Sequence, residues 1–236
     1  MHLLENIFNY LPTQCLRCKC MQTFPLRNIC NPCFAEIPRI LSSCRMCGIP
    51  TSMPVPACGK CLNSKGFITQ SCIPCLYAPP VDVWLRALKD NRSFQALPVL
   101  SQLVFESLQH EKISIDLIVP MPIHRTRRLT RGYNQAELLA NMLSTLSGKP
   151  VNRKILTRSR KVKSQRSLSR SARIQNQRNS FRLINADGLR GKKILLVDDI
   201  VTTDSTVNQA AAELISGDAK NVILAAVART EGHSRI

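Results

Sequence analysis

Apolar and polar positions follow two patterns along the chain, and each pattern predicts a different type of secondary structure. Ile115–Met121, Ile194–Val197 and Val222–Ala228 are short apolar runs, which are typical of parallel strands covered on both faces. Ser71–Tyr77 is interpreted as the first strand of the same sheet. Between these runs, apolar residues recur every three or four positions, as in amphipathic helices. The pattern therefore predicts an α/β domain with a parallel sheet flanked by helices.

Four Cys-x-x-Cys pairs precede this domain. They are formed by Cys15, Cys18, Cys30, Cys33, Cys44, Cys47, Cys58 and Cys61. Two thiolates three positions apart can turn onto one tetrahedral Zn²⁺, and a second pair completes a closed site. We predict two structural zinc ribbons, one from the first two pairs and one from the last two; an interleaved pairing also fits the spacing. Metal binding would supply folding energy on the order of 10 kcal/mol per site.

Three further cysteines are interpreted as non-ligands. Cys20 is an odd thiol beside Cys18 and is predicted to be a bystander. Cys72 and Cys75 share the ligand spacing but lie in an apolar segment, so we expect two buried strand cysteines; a third metal half-site is the alternative. The predicted division is a zinc-ribbon module over residues 1–65 and an α/β domain over residues 66–236, with a hinge at Asn63–Gln70.

The stretch Ile194–Thr206 is a predicted strand followed directly by acidic and hydroxyl side chains. Asp198 and Asp199 follow the apolar run, at the sheet edge where open α/β sheets bind ligands. The residues after them are predicted to start a helix, whose free N–H groups and hydroxyls form an anion site. We therefore predict a ribose-phosphate site in which the carboxylates bind sugar hydroxyls or a hydrated Mg²⁺. Its residues are Asp198, Asp199, Thr202, Thr203, Asp204, Ser205 and Thr206.

A dense positive cluster follows the strand Ile115–Met121, on the same side of the sheet. It consists of His124, Arg125, Arg127, Arg128 and Arg131. Arginines of this kind can clasp a diphosphate in bidentate fashion, or equally a nucleic-acid backbone. His124 is expected to contact phosphate or to donate a proton.

Charge is distributed unevenly over the 236 residues. The net charge is +18, from 33 Lys and Arg against 15 Asp and Glu, which indicates a polyanionic partner. No acid occurs between Leu138 and Ala186. Within that stretch, residues 158–177 are predicted to form a mobile basic loop that closes over a ligand or lies along single-stranded nucleic acid.

The N-terminus does not have the pattern of a signal peptide, and no apolar run is long enough to span a bilayer. We therefore expect a cytoplasmic protein, in which cysteines bind metal rather than form disulfides.

Taken together, these motifs resemble a known family. Ile194–Thr206 resembles the phosphoribosyl diphosphate (PRPP) signature of type I phosphoribosyltransferases, and with its surroundings the chain resembles the ComF/GntX family of competence-associated proteins. Arg131–Gln135 matches the family motif Arg-Gly-aromatic-Asn-Gln, and Gln165, Leu168, Arg173 and Asn176 match the spacing of its flexible loop. The resemblance implies a type I phosphoribosyltransferase-like fold and places Lys89 near the ligand cleft. It also implies a role in DNA uptake, with a helicase at the inner membrane as partner.

Two positions depart from the related patterns. Asp204 stands where the family normally has glycine, and we expect its carboxylate to point into the cradle for a 5′-phosphate. Thr202 stands where purine-salvage phosphoribosyltransferases carry an acid that works on the nucleobase, so a purine acceptor is not supported. Activity as an enzyme is thus left open.

Three functional hypotheses follow. The first is a protein that binds single-stranded DNA, together with PRPP or a nucleotide, during natural transformation; it would be cytoplasmic or held at the inner membrane by its partner. The second is an active Mg²⁺-dependent phosphoribosyltransferase that uses PRPP with an unknown acceptor. The third is a zinc-stabilised scaffold without ligand chemistry.

Overall fold

The computed structural model describes residues 12–23, 28–64, 66–158 and 180–230. A metal-ligand module comes first. Its antiparallel strands β1 (Pro12–Gln14) and β2 (Met21–Thr23) are followed by two short helices, α1 (Asn31–Ala35) and α2 (Gly59–Leu62). The cysteines that start these helices, Cys30 and Cys58, are extended N-cap residues. The module therefore consists mainly of turns around cysteines.

The second domain has the predicted alternation of strands and helices. Its elements are β3 (Ile68–Cys72), β4 (Cys75–Leu76), α3 (Val81–Asp90), α4 (Leu97–His110), β5 (Leu117–Pro120), α5 (Arg125–Arg131), α6 (Gln135–Ser147), β6 (Leu156–Arg158), β7 (Phe181–Leu183), β8 (Lys193–Val201), α7 (Asp204–Ser216) and β9 (Asn221–Arg229). The parallel sheet has the order β3-β9-β8-β5, and β4 also pairs with β9. β6 and β7 form a separate antiparallel pair.

Both faces of the central strands are buried, which explains their continuous apolar sequence. Alternate side chains, such as Leu195 and Ile223, pack with α3, α4 and α6. The intervening ones, such as Leu196 and Leu224, pack with α7 and the β6–β7 pair. The fold is thus the predicted phosphoribosyltransferase-like parallel sheet covered by helices on both faces.

The strands begin and end differently from the sequence-based expectation. β3 begins at Ile68, inside the segment predicted to be a hinge, because Ile68–Cys72 pairs with the buried strand β9. β8 does not end before the two acids: it continues through Asp198 and Asp199 to Val201, since β9 pairs with it along this length. Its other neighbour, β5, stops opposite Val197. The edge of β8 on the β5 side is therefore not paired with β5 from Asp198 onward.

Two basic segments have more regular structure than predicted. The cluster at residues 125–131 forms the helix α5, capped by the His124 side chain at its start and by Gly132 at φ 85° at its end. Arg158, assigned from sequence to the mobile loop, is the last residue of β6.

Candidate functional site

The two acids lie at the carboxyl edge of the sheet, beyond the end of β5. Asp198 Oδ1 accepts a hydrogen bond from the Asp199 backbone N–H at 2.9 Å, and Asp199 Oδ1 accepts one from the Ile200 N–H at 3.0 Å. Each carboxylate therefore folds back on the backbone of its own strand.

Burial raises the pKa of Asp198 well above its ordinary value, and the adjacent charge of Asp199 adds to the rise. The positive charge of the Arg158 guanidinium lowers the pKa of Asp198. The pKa of Arg158 is itself lowered by burial and by the charge of Arg127. The charges of Asp198, Asp199, Arg158 and Arg127, which come from three different elements, therefore influence one another.

The first turn of α7 lies next to these acids in the chain. Thr203 is its N-cap and has no hydrogen bond from its side chain to the helix. Thr202, Thr203 and Ser205 are exposed, and Thr206 is half-buried. Because the Thr203 side chain does not cap this turn, it leaves the first N–H groups of the helix to other acceptors, and phosphate binding there stays a prediction.

Asp204 does not point its carboxylate into this cradle, so that expectation is wrong. Its Oδ1 lies 2.8 Å from Arg229 Nη1 and its Oδ2 lies 2.7 Å from Lys60 Nζ. Burial alone would raise the pKa of Asp204, but the hydrogen bonds from Arg229 and Lys60 outweigh it and lower the pKa. The carboxylate is held between Lys60 of the metal-ligand module and Arg229 at the end of β9. The replacement of the family glycine consequently puts no negative charge into the phosphate cradle.

The arginines of α5 differ in what they can offer a ligand. Arg128 forms a bidentate ion pair with Glu137, at 2.6 and 3.1 Å, and Arg131 donates to Gln135 Oε1 at 2.8 Å. Arg125 and Arg127 are exposed on the first turn of the helix. The predicted five-residue cluster therefore consists of two arginines engaged with α6, two directed to solvent, and His124.

His124 has a structural role at the start of α5. Its Nδ1 accepts from the Thr126 backbone N–H at 3.3 Å and lies 2.7 Å from Thr126 Oγ1. Its Nε2 is buried and has no hydrogen-bond partner among the described residues. This ring caps a helix in the structure, and a phosphate contact or a proton donation by His124 stays a prediction.

Lys89 lies on the last turn of α3 and is half-buried. The preceding residue, Leu88, accepts a hydrogen bond through its carbonyl from the Tyr133 hydroxyl, just after α5. The Tyr133 ring also packs edge-on against Phe94, with centroids 5.1 Å apart. The end of α3 is thus fixed beside the basic segment, on the side where Lys89 was expected. The predicted loop residues Gln165, Arg173 and Asn176 lie outside the described residues.

The last four predicted metal ligands form one group. The thiols of Cys44, Cys47, Cys58 and Cys61 lie within 4.8 Å of one another. The Cys44–Cys61 and Cys47–Cys58 sulfur distances are both 3.8 Å. A tetrahedral Zn²⁺ with Zn–S bonds of about 2.3 Å separates its sulfurs by about 3.8 Å, so the four thiols fit such an ion.

The first group contains a thiol that was not predicted. Cys15, Cys18, Cys20 and Cys30 lie within 4.8 Å of one another, so Cys20 is no remote bystander. Cys33, which was predicted as a ligand, is not one of these four, but burial and the neighbouring thiols of Cys30, Cys18 and Cys15 raise its pKa to about 12, so a fifth sulfur lies close to this site. The grouping by sequential pairs, rather than the interleaved one, holds for both sites.

The two groups share a local geometry that distinguishes Cys33 from Cys20. Cys30 N–H donates to Cys15 Sγ at 3.5 Å, as Cys58 N–H donates to Cys44 Sγ at 3.1 Å. Cys33 occupies the position on α1 that Cys61 occupies on α2. The Cys18–Cys20 distance of 3.2 Å is shorter than the edge of a tetrahedral thiolate site. Cys33 is therefore the better fourth ligand.

Cys72 and Cys75 are buried in β3 and β4, as predicted. Burial raises the pKa of both thiols to about 12. Neither belongs to the two metal-ligand groups found among the described residues.

Sequence reasoning did not identify Lys60 or Arg229 as parts of this region, and it assigned Arg158 to the mobile loop rather than to a strand beside the acids. Arg229 carried a signal, because it is a charge that directly follows the apolar run Val222–Ala228. Lys60 carried none, since it lies between two metal ligands and 144 residues from Asp204.

Comparison with known proteins agrees with this architecture. A family model described as "Phosphoribosyl transferase domain" matches residues 129–235. "DNA utilization protein YhgH" of Salmonella typhimurium is 29% identical over 225 residues, covering 93% of this chain and 98% of that protein. "Competence protein F" of Haemophilus influenzae is 27% identical and covers 87% of this chain and 91% of that protein. "Competence protein ComFC" of Bacillus subtilis is 28% identical, with 81% and 79% covered.

Within the described part of the chain, no helix has the length and apolarity needed to cross a membrane. Two cysteine groups that can hold metal ions precede a parallel sheet of phosphoribosyltransferase type, and the similarity to the competence proteins extends over both parts. The chain is therefore similar to the ComF-type competence proteins over most of its length, and its second domain has a phosphoribosyltransferase-like fold.

Proposed function

We propose that the protein binds single-stranded DNA during DNA uptake and holds PRPP or a nucleotide at the carboxyl edge of its sheet. The observation that carries the proposal is the convergence of Asp198 and Asp199 with Arg158, Arg127 and the uncapped first turn of α7. The acids would bind ribose hydroxyls, and the turn would bind a 5′-phosphate. Mg²⁺, when bound, would neutralise the diphosphate. The names of the similar competence proteins support the role in uptake.

The DNA-binding part rests on the excess of positive charge. Arg125 and Arg127 are exposed near the ligand site, and the net charge is +18. Aromatic residues make up only 5% of the chain, so binding should be mainly electrostatic rather than by base stacking. Binding of this kind weakens steeply with salt, with a slope of about −0.7 per neutralised phosphate of a single strand.

Fluorescence anisotropy of a labelled oligo(dT) over a range of salt concentrations tests this part. Arg125→Gln together with Arg127→Gln should weaken binding and make the slope shallower by roughly 1.4. The matched control is Lys192→Gln with Lys220→Gln, which removes the same charge at the amino edge of the sheet, before β8 and β9. Salt-independent binding by the wild type, or equal losses in both double variants, would contradict the proposal.

The PRPP part is tested by calorimetric titration of Mg·PRPP into the zinc-loaded protein. Wild type should bind, and Asp198→Asn should bind at least about tenfold more weakly, because one of the two carboxyl oxygens that could bond the ribose hydroxyls is lost. Asp187→Asn, an exposed acid in the turn before β8, should bind like wild type. Equal affinity in all three proteins would remove Asp198 from the site.

An active transferase is the second candidate, favoured by one observation. The carboxylate of Asp204 is held by Arg229 and Lys60, so the one substitution that was expected to obstruct the phosphate cradle does not obstruct it. Release of pyrophosphate from PRPP in the presence of an acceptor would distinguish a transferase from a binding module.

We also propose that both cysteine groups bind Zn²⁺ as structural ions, since closed sites of four thiolates are typical of structural zinc. Two zinc ions per chain by elemental analysis are expected.

By family resemblance, we propose a cytoplasmic protein that is recruited to the inner membrane by a DNA-uptake helicase. Loss of membrane association when the helicase is deleted would support this location.

A further inference from the structure

Three charged side chains join the second cysteine group to the start of α7. We name Lys60, Asp204 and Arg229 the clasp. Asp204 binds both cations, and Arg229 Nη1 also donates to the Cys47 carbonyl at 2.6 Å. The Asn208 side chain makes a second connection beside the clasp. Its Oδ1 accepts a hydrogen bond from the Phe67 N–H at 3.0 Å, and its Nδ2 donates one to the Asp204 carbonyl at 3.1 Å.

The module side of the clasp is made of the metal site itself. Cys47 is one of the four thiols of the second group, and Lys60 lies between two others, Cys58 and Cys61. A metal ion fixes the backbone at each of its ligands, so it would fix both the Cys47 carbonyl and the Lys60 stem. Without metal, nothing bonds the four thiols to one another. The Cys47 carbonyl and the Lys60 side chain then lose their defined positions.

The other side of the clasp is the proposed phosphate cradle. Asp204 is the first residue of α7, directly after the N-cap Thr203. It is 9% exposed and Arg229 is 3% exposed, so the pair is shielded from the solvent and salt that weaken surface ion pairs. A carboxylate fixed at this position also fixes the direction of the neighbouring backbone N–H groups.

We propose that Asp204 is a positioning residue that couples the metal in the second cysteine group to ligand binding at the first turn of α7. The inference rests on the proposed PRPP site. Metal in the second group holds the clasp, and the clasp holds the turn in the geometry that binds phosphate. Coupling of two binding free energies is reciprocal, so ligand at α7 must tighten metal binding by the same factor. The aspartate in place of the family glycine thus links the two domains.

The first cysteine group supplies an internal reference. It packs on the opposite face of the sheet, where Cys15, Cys30 and Cys33 join the core formed with α3 and α4. None of its residues belongs to the clasp. A ligand at α7 should therefore leave its metal affinity unchanged.

The experiment measures release of zinc from the full-length protein to the chromophoric chelator 4-(2-pyridylazo)resorcinol. The release phases are assigned to the two groups with Cys30→Ser and Cys58→Ser. Saturating Mg·PRPP should slow release from the second group about fivefold or more in wild type and leave the first group unchanged. In Asp204→Asn the ligand should have little effect on either phase, and in Lys60→Met the slowing of the second phase should be smaller than in wild type, because Arg229 still joins Asp204 to Cys47.

Glu213→Gln, which removes an acid from the last turns of α7, is the matched control and should behave like wild type. Lys60→Met guards against misfolding, because the Lys60 side chain is 65% exposed and its loss disturbs little packing. Equal slowing in wild type and both clasp variants would overturn the proposal. So would slowing of both phases, since that would indicate general stabilisation by the ligand.

Calorimetry in parallel separates this proposal from the proposed function. If wild type binds Mg·PRPP without any change in zinc release, the coupling is refuted and the PRPP site stands. If wild type does not bind Mg·PRPP, the PRPP site fails, and the clasp is judged on release without ligand. Asp204→Asn should then speed release from the second group alone by roughly threefold or more. Unchanged release would refute the clasp as well.

Discussion

Removal of the Asp204 carboxylate should destabilise the protein far more than removal of Lys60. The side chains of Asp204 and Arg229 are 12% and 4% exposed, so Asp204→Ala leaves a buried guanidinium whose charge is no longer compensated. Breaking a buried pair in this way costs about 3–5 kcal/mol. Lys60 is 65% exposed, and solvent screening reduces its contribution to about 0–1 kcal/mol.

Urea unfolding followed by fluorescence measures this difference. The single tryptophan, Trp84, lies on α3 and is 7% exposed, so its emission reports the α/β domain. Zinc is kept in excess so that both groups stay loaded. With a denaturant slope of about 2–3 kcal/mol/M, Asp204→Ala should lower the urea midpoint by roughly 1–2 M, and Lys60→Met by less than about 0.5 M.

A double variant provides the decisive control. Arg229→Met in the Asp204→Ala background replaces the uncompensated charge by an apolar side chain, so it should recover much of the lost stability. The recovery should be partial, because Cys47 then loses the hydrogen bond to its carbonyl. If Asp204→Ala costs no more than Lys60→Met, or if the second substitution adds a further loss, the buried pair does not have the energetic role assigned to it.

Four other substitutions test the site and the module. Burial raises the pKa of Asp198, so the folded state favours the protonated carboxyl, and this stabilisation is lost as pH rises from the unfolded pKa through the raised folded pKa. The gain in stability from Asp198→Asn, measured by urea titration, should therefore grow with pH over that window. In the Co²⁺-substituted protein, Cys33→Ser should reduce the thiolate charge-transfer band, while Cys20→Ser should leave it intact; the reverse result would make Cys20 the ligand. Gly48→Ala should destabilise by about 1–3 kcal/mol, because Gly48 has φ +71° and a Cβ there would lie 2.7 Å from Ile73 Cδ1; an unchanged urea midpoint would contradict this.

Features set by local spacing could be predicted from sequence. The Cys-x-x-Cys pairs identified all four thiols of the second cysteine group, because the turn that brings two thiolates onto one metal ion depends on residues three positions apart. The apolar runs located β5, β8 and β9 because their burial on both faces leaves no polar alternation.

Features set by distant contacts could not be predicted. The direction of the Asp204 side chain depends on Lys60, which is 144 residues away in sequence. The helix α5 was obscured by its charge, although Gly132 at its end was a valid stop signal. Cys20 joins the first group because of the fold of the β1–β2 turn, and no spacing rule describes that turn.

The strand order also determines when the domain can form during synthesis. β9 lies between β3 and β8, yet the ribosome makes it after every other described element. Until then β3 and β8 have no shared neighbour, and their apolar faces remain open to wrong partners or to chaperones. The metal-ligand module needs only contacts that are close in sequence, so it can close around its ions while the rest of the chain is still emerging. A metal-loaded N-terminal module would then be the folded surface on which the late sheet assembles.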